Sequence, residues 1–211
     1  MAIDRALDNI LNTGSKVQII RLFVCRREDF TATGREIARL AGVTAPTAHA
    51  SLKDLYNLDI LKRNIIGKQH LYRLNSQNRI VRNILVPAFK QEHSIKDEIG
   101  CFLVKKIRQK KLQNRIVSLM IYGSVQKDTA DEKSDVDIAI IVKTGKDKQL
   151  LTDWFIEELA VQFSDYFGIQ ADAYIKTKDE FVGRMRKNLA PVSTLLKSYS
   201  VILGKDPIEL K

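Results

Sequence analysis

The chain has 211 residues, room for one large domain or two small ones, and 45% of them are hydrophobic, enough to build a real core. Lys and Arg outnumber Asp and Glu by 35 to 25, a net charge of +10 that points to a polyanionic partner, most often nucleic acid. Two cysteines, Cys25 and Cys101, exclude a disulfide scaffold, and no apolar run approaches the ~18 residues of a membrane span.

Both cysteines have apolar neighbours and are expected as buried free thiols in a reducing cytoplasm. There is no CxxC or Cys/His cluster, so zinc is not suggested. Asp4, Arg5 and Asp8 interrupt any apolar run at the amino terminus, so no signal peptide is expected and the protein is read as cytoplasmic. Residues 1–93 carry a net +7 and residues 94–211 a net +3, which makes the first half the expected nucleic-acid surface.

In chain order, residues 16–27 have helical spacing in Val17, Ile20, Phe23 and Val24. Thr31-Ala-Thr-Gly34 breaks the pattern. A short helix is expected from Arg35 to Ala41, stopped by Gly42, which tolerates a positive φ. Thr44 can cap a new helix that has Pro46 in its first turn and Ala48, Leu52 and Leu55 on one face. Leu61 to Leu74 reads as two strands around Gly67-Lys68. Residues 77–92 read as helix with a break near Pro87. An amphipathic helix follows over 93–113, its apolar face carrying Ile95, Ile99, Phe102, Leu103 and Ile107 and its polar face Lys105, Lys106, Arg108, Lys110 and Lys111. A domain boundary is expected here, giving domains 1–92 and 93–211.

The second half alternates strand and helix. Strands are expected at Ile116–Tyr122, Val136–Val142 and Ile169–Ile175, with a short last one at Val201–Leu203. A helix is expected over Leu150–Phe167, from Leu151, Phe155, Leu159 and Phe163. Another is expected over Lys178–Tyr199, split near Pro191.

The chemistry gathers at strand ends. Gly123-Ser124 follows the first of these strands, and ten residues later Asp135-Val136-Asp137 opens the next. Alternation along a strand puts Asp135 and Asp137 on one face and Val136, Ile138 and Ile140 on the other, in a core. Adjacent carboxylates repel, and a divalent cation removes the repulsion. Magnesium is bound mainly through one or two carboxylates plus phosphate oxygens, and a pair of such ions can stabilise both oxygens of a phosphoryl displacement. Glycine lets backbone N–H groups approach a phosphate, and the Ser124 hydroxyl can add a hydrogen bond. On the third strand Asp172 shares a face with Gln170 and Tyr174, away from the apolar residues 169, 171, 173 and 175. Asp is depleted in strands, so its presence asks for a reason. Asp165, nearby, reads as a solvated helix residue.

Gly-Ser, ten residues, Asp-x-Asp and a later strand Asp together resemble the minimal nucleotidyltransferases of the DNA polymerase beta superfamily, over roughly residues 95–205. The resemblance implies a mixed sheet backed by helices. It implies magnesium, two ions, at Asp135 and Asp137, with Asp172 completing the metal site and helping to activate the attacking hydroxyl. It implies a nucleoside triphosphate such as ATP cradled by Gly123 and Ser124. Lys127, Arg184 and Lys187 are candidates for the triphosphate.

Arg35 to Leu55 resembles a helix-turn-helix: Ala38 is small where the helices would cross, Gly42 makes the turn and Val43 plugs the interface. With the strand pair as a wing, residues 14–75 resemble a winged helix domain, so the whole chain is expected to be α+β. In such domains the second helix enters the major groove by its amino-terminal end. DNA contacts are then expected from Arg35, Thr44, Ala45, Thr47, His49 and Lys53, with Lys62, Arg63, Lys68 and Gln69 on the wing. A homodimer is expected by the same analogy.

The readings that follow are a magnesium-dependent nucleotidyltransferase tethered to DNA, a DNA-binding regulator that binds a nucleotide as effector, and a nucleotidyltransferase antitoxin that modifies a partner protein.

Overall fold

A computed structural model describes residues 5–123 and 135–210. The chain divides into two compact units, one up to Ile95 and one from Lys96. Among the described residues no helix is long and apolar enough to cross a membrane.

The first unit opens with α1 (Ala6–Ile10) and α2 (Gly14–Val24), the latter capped by Thr13. Strand β1 (Ala32–Thr33) leads into α3 (Gly34–Leu40). Thr33 and Glu36 form a reciprocal capping box that satisfies two orphan donors at the start of α3. Gly42, at φ +66°, ends the turn, and Val43 N–H donates to the Ala38 carbonyl at 3.0 Å. Helix α4 (Ala45–Asn57) then starts as its sequence anticipates, with Thr44 as cap and proline in the first turn. Ala48, Leu52 and Leu55 are all buried. Strands β2 (Leu61–Ile66) and β3 (Gln69–Leu74) pair around Gly67, at φ +59°. The sheet order β1-β3-β2 makes this hairpin the wing of a winged helix-turn-helix.

The break near Pro87 takes a specific form. Val81–Leu85 is a π-helical turn, in which Val86 N–H reaches back to the Val81 carbonyl, and it runs into α5 (Val86–His93). Proline has no N–H to donate to the preceding turn, so the ladder widens there.

The second unit begins with α6 (Ile95–Gln109) and β4 (Ile116–Tyr122). Strand β5 (Val136–Val142) is followed by α7 (Gly145–Trp154), a π turn at Phe155–Leu159, α8 (Ala160–Phe167) and β6 (Ala171–Thr177). The π turn has a cause in the sequence. Leu151, Phe155, Leu159 and Phe163 recur every four residues, more than the 3.6 of an α-helix, and a wider turn takes up the excess so that all four stay buried. Helices α9 (Lys178–Arg186) and α10 (Val192–Leu195) and strand β7 (Tyr199–Gly204) complete the unit. Residues 178–199, expected as mostly helix, therefore break at Pro191 into two short helices.

The four strands form a mixed sheet in the order β6-β5-β4-β7, with only β5–β6 parallel. Val136, Ile138, Ile140 and Val142 enter a core with Ile99, Leu103, Leu151 and Phe163. The opposite face, which carries Asp137, is covered as well: Ala139, Ile141 and Met120 pack with Phe181, Val182, Val192 and Leu195. Alternation alone predicts a core on the first face only, and the apolar run after Asp137 explains the second. A central strand covered on both faces reads as a nearly continuous hydrophobic stretch.

One expectation fails outright. Cys25 and Cys101 are both exposed, not buried. Cys25 is the residue that ends α2, and Cys101 sits beside Gly100 on the side of α6 away from Leu103 and Ile107. Apolar neighbours in sequence do not bury a residue when the helical period turns it outward.

Candidate active site and nucleic-acid interface

Register brings the carboxylates together. Tyr122 on β4 pairs with Asp137 on β5, and Asp137 pairs with Asp172 on β6. Tyr199 on β7 pairs with Tyr122 on its other side. One row across the sheet therefore reads Tyr199, Tyr122, Asp137, Asp172. Side chains at one level of a sheet share a face, so both carboxylates stand on the side covered by α9 and α10. Asp135, just before β5, is exposed, as is Asp172, whereas Asp137 is half-buried.

The electrostatics follow from this placement. Burial pushes the Asp137 carboxyl above its ordinary range, and the charges of Asp172 and Asp135 push it further. Tyr122 is pushed up to about 12, first by burial and then by Asp137 and Asp172. The row is thus a concentration of negative charge, and among the described residues no basic side chain is a cause of either shift. Arg184 on α9 is near enough to act on Tyr174 but hydrogen-bonds the Ala190 carbonyl at 3.0 Å. Lys187 follows α9 and, with Arg184 and Lys176, lines a cavity of about 340 Å³. Asp172 lines another of about 410 Å³ together with Lys148, Tyr174 and Lys176. Asp165 lies exposed on α8. Ser124 and Lys127 lie outside the described residues.

Gly123 completes the geometry. It has φ +83°, and a Cβ built on it would overlap the Asp137 carboxylate, with its Cγ only 2.9 Å away. The backbone after β4 is therefore pressed against the carboxylate, an approach open only to glycine. Among the described residues no group of three or more His, Cys, Asp or Glu is gathered to hold a metal ion through side chains alone. The donor set present suits magnesium, which takes one or two carboxylates and fills its octahedron with water and phosphate oxygens. The ion's positive charge would offset the repulsion between the carboxylates of the row.

Size alone does not select this site. A cavity of about 740 Å³ lies beside Arg115 and Trp154, but its charges are largely satisfied: Lys110 pairs with Glu158, and Arg115 with Asp147. What marks the carboxylate row instead is like charge held side by side, with Asp172 and Asp135 both raising the Asp137 carboxyl. Sequence reasoning missed Tyr122 and Tyr199. The signal was present for Tyr122, which precedes Gly123 at the end of an apolar strand, but its place beside Asp137 needs the pairing of β4 with β5.

In the first unit, Arg35, Thr44, Ala45, Thr47, His49 and Lys53 are all exposed on α3 or at α4. The Thr44 and Thr47 hydroxyls hydrogen-bond each other at 2.8 Å. On the wing, Lys62 pairs with Asp59 at 2.5 Å, and Arg63 lies 4.5 Å over the Tyr56 ring. Lys68 and Gln69 are exposed at the hairpin turn. Ile65 and Ile66 there are 63% and 64% exposed, an apolar wing tip that the reading of the charges passed over.

Among curated proteins none matches the chain significantly. Solved winged helix structures match the amino-terminal region. The winged helix-turn-helix DNA-binding domain Mb0332 from Mycobacterium bovis, a possible ArsR-family regulator, is 20% identical, over 44% of this chain and 77% of that one, with a TM-score of 0.33. MepR, a transcription regulator of the Staphylococcus aureus efflux pump MepA, is 20% identical over 49% and 76%, with a TM-score of 0.33. A possible transcriptional regulator from Methanosarcina mazei is 22% identical over 50% and 88%, with a TM-score of 0.31. Residues 103–193, from within α6 into α10 and including Tyr122, Asp135, Asp137 and Asp172 but not Tyr199, match the nucleotidyltransferase domain family, a match that takes in most of the carboxy-terminal unit.

Proposed function

We propose that the chain is a magnesium-dependent nucleotidyltransferase that moves a nucleoside monophosphate from a nucleoside triphosphate to an acceptor hydroxyl. In this reading residues 93–211 carry the reaction and residues 1–92 carry it to DNA. The observation that carries the proposal is the registered pair Asp137–Asp172 with the Gly123 backbone pressed against it.

Asp135 and Asp137 would hold magnesium, and Asp172 would complete the site. Bound there, magnesium would supply Lewis-acid charge against the phosphate oxygens. The chain's own work is placement. The Gly123 backbone and the Ser124 hydroxyl hold the phosphates. Asp172, exposed on the edge strand β6, would accept the proton of the incoming hydroxyl. The acceptor oxygen bonds to the α phosphorus, the bond to the β phosphate breaks in line, and pyrophosphate leaves. Such chemistry depends mostly on positioning and charge stabilisation.

DNA binding through Thr44, Thr47, His49, Lys53, Arg35, Lys62, Arg63 and Lys68 rests on their place around α4 and the wing, where all but the partly exposed Lys62 are exposed, and on the net +7 of residues 1–93. The test is pyrophosphate release from each labelled nucleoside triphosphate with magnesium, comparing wild type with the Asp135→Ala, Asp137→Ala double variant. DNA and cell lysate serve as acceptors. Release that vanishes in the variant is expected. Nucleotide binding without release under every condition would overturn the enzyme and leave a nucleotide-responsive DNA-binding regulator.

A further inference from the structure

The winged helix domain contains a cavity of about 180 Å³ between the end of α2, the base of the wing and the start of α5. Its apolar wall includes Phe23 and Phe30, whose rings are 5.5 Å apart and tilted by 59°. Its rim carries three cations, Arg26, Arg27 and Lys90, against one acid, Glu28. None of the three cations enters an ion pair among the described residues. Arg26 instead lies 6.0 Å over the Phe30 ring. We infer that this cavity binds a small organic anion with a planar apolar body, a ring of single-aromatic size bearing a carboxylate or a phosphate.

Size, lining and charge agree on that class. Pockets for drug-sized ligands begin near ~300 Å³, so this one takes a single ring. The phenyl wall accepts the ring face, and tilted or offset contacts between rings are the favoured ones. Two arginines and a lysine at the rim offer charge-assisted hydrogen bonds, the strong kind, to a carboxylate or phosphate. Three like charges gathered at the mouth of an apolar recess attract an anion and disfavour a neutral or cationic ligand.

The walls are also set in advance. Arg21 on α2 grips Glu92 on α5 through two hydrogen bonds of 2.7 and 2.8 Å, so the helices that frame the cavity are tied together before any ligand arrives. Ordering costs are then already met, which favours binding. The π turn Val81–Leu85 leads into Val86 on the cavity wall, and π turns concentrate at functional sites. Leu74 and Ser76, at the foot of the wing, line the same cavity. A ligand seated there touches the strand that carries the wing as well as α2, so its binding is coupled to the wing. The inference is independent of the proposed reaction, because no residue of the carboxylate row takes part.

The experiment is calorimetric titration of the full chain, with saturation-transfer NMR in parallel. Benzoate and phenyl phosphate are the probes, benzyl alcohol supplies the ring without the charge, and acetate supplies the charge without the ring. Both ring anions should bind at least about tenfold more tightly than either control. The Arg26→Ala, Arg27→Ala double variant should lose at least about tenfold in affinity with its circular dichroism unchanged, since both side chains are exposed. Lys90→Ala, on a different helix, should weaken binding in the same direction. A preference for phenyl phosphate over benzoate would assign the natural ligand to phosphate monoesters, and the reverse to carboxylates. Equal binding of benzyl alcohol, no binding of either ring anion at millimolar concentration, or wild-type affinity in both variants would overturn the inference.

Discussion

Asp137 stands directly across from Asp172 in the parallel pair β5–β6 and across from Tyr122 in the antiparallel pair β4–β5. The row is costly for the protein without a cation. Burial, and then the neighbouring carboxylates, raise the Asp137 carboxyl, so the folded state keeps a proton that the unfolded chain has already released. That favours folding on the acid side, and the advantage is lost as pH rises through the raised value. At neutral pH the ionised carboxylate is a liability. Asp137→Asn is therefore expected to stabilise the metal-free protein at pH 7 while abolishing pyrophosphate release. Asp137 is only half-buried and solvent still screens its charge, so the gain should be a few tenths of a kcal/mol, or roughly 1 °C in Tm. Magnesium should raise the Tm of the wild type and leave the variant nearly unmoved. A variant less stable than wild type, or one that gains as much from magnesium, would remove the row as a cation site.

Gly123 and Gly168 make a controlled comparison. Both have positive φ, +83° and +69°, so alanine is strained at either. A Cβ at Gly168 meets nothing within 4 Å, whereas one at Gly123 overlaps the Asp137 carboxylate. Gly168→Ala should cost about 1 kcal/mol of stability and keep its activity. Gly123→Ala should cost about 1–3 kcal/mol and lose at least ~100-fold in turnover, because a displacement of about 1 Å at a reacting centre is worth that much. Chemical denaturation and pyrophosphate release, measured on both variants, separate strain from displacement.

The contrast between those glycines also marks where the sequence was legible. Caps and punctuation were readable because their causes are local: Thr44 accepts from the Thr47 N–H, Gly42 turns the chain, and Gly67 closes the wing. Strand alternation puts Val136, Ile138 and Ile140 together in a core, as they are. What could not be read was pairing. Nothing within Ile116–Tyr122 says that Tyr122 will lie beside Asp137 rather than two residues away, because register is fixed by the whole hydrophobic pattern of the neighbouring strands. The second core under α9 was hidden for the same reason, since burial depends on which element comes to cover a face. The wing tip, Ile65-Ile66, was visible as letters but not as exposed surface.

On the winged helix, the cations differ in what already occupies them. Lys62 is held by Asp59, and Arg63 lies over Tyr56, whereas Lys53 and Lys68 are exposed with no ion pair among the described residues. If this domain binds duplex DNA through phosphate contacts, Lys53→Ala and Lys68→Ala should each reduce the slope of log affinity against log salt by about 1. Lys62→Ala should reduce it less, because that ammonium already has a carboxylate partner. Fluorescence anisotropy with a random duplex across a salt series reads the slope directly. Slopes unchanged by Lys53→Ala and Lys68→Ala would place the DNA surface elsewhere. Thr44→Ala is a poor probe of contact, since its hydroxyl caps α4 and its loss would weaken the helix itself.

Asp147 gives the second unit its clearest acid-sensitive joint. Its side chain is buried, accepting from Thr144 Oγ1 at 2.6 Å and from Arg115 Nη1 at 2.6 Å. Those hydrogen bonds, Thr144 first and Arg115 second, hold its carboxyl below the ordinary range. The sign is opposite to that of Asp137. Here the unfolded chain takes up a proton before the folded one does, so the stabilisation is present above the ordinary carboxylate value and is lost as pH falls through the lowered one. Asp147→Asn keeps the shape and removes the charge. It should lower the Tm at pH 7, and the gap from wild type should close as pH falls through that window. A gap that stays constant with pH would mean that the amide disturbs the packing around Thr144 and Arg115, and that the charge itself contributes nothing.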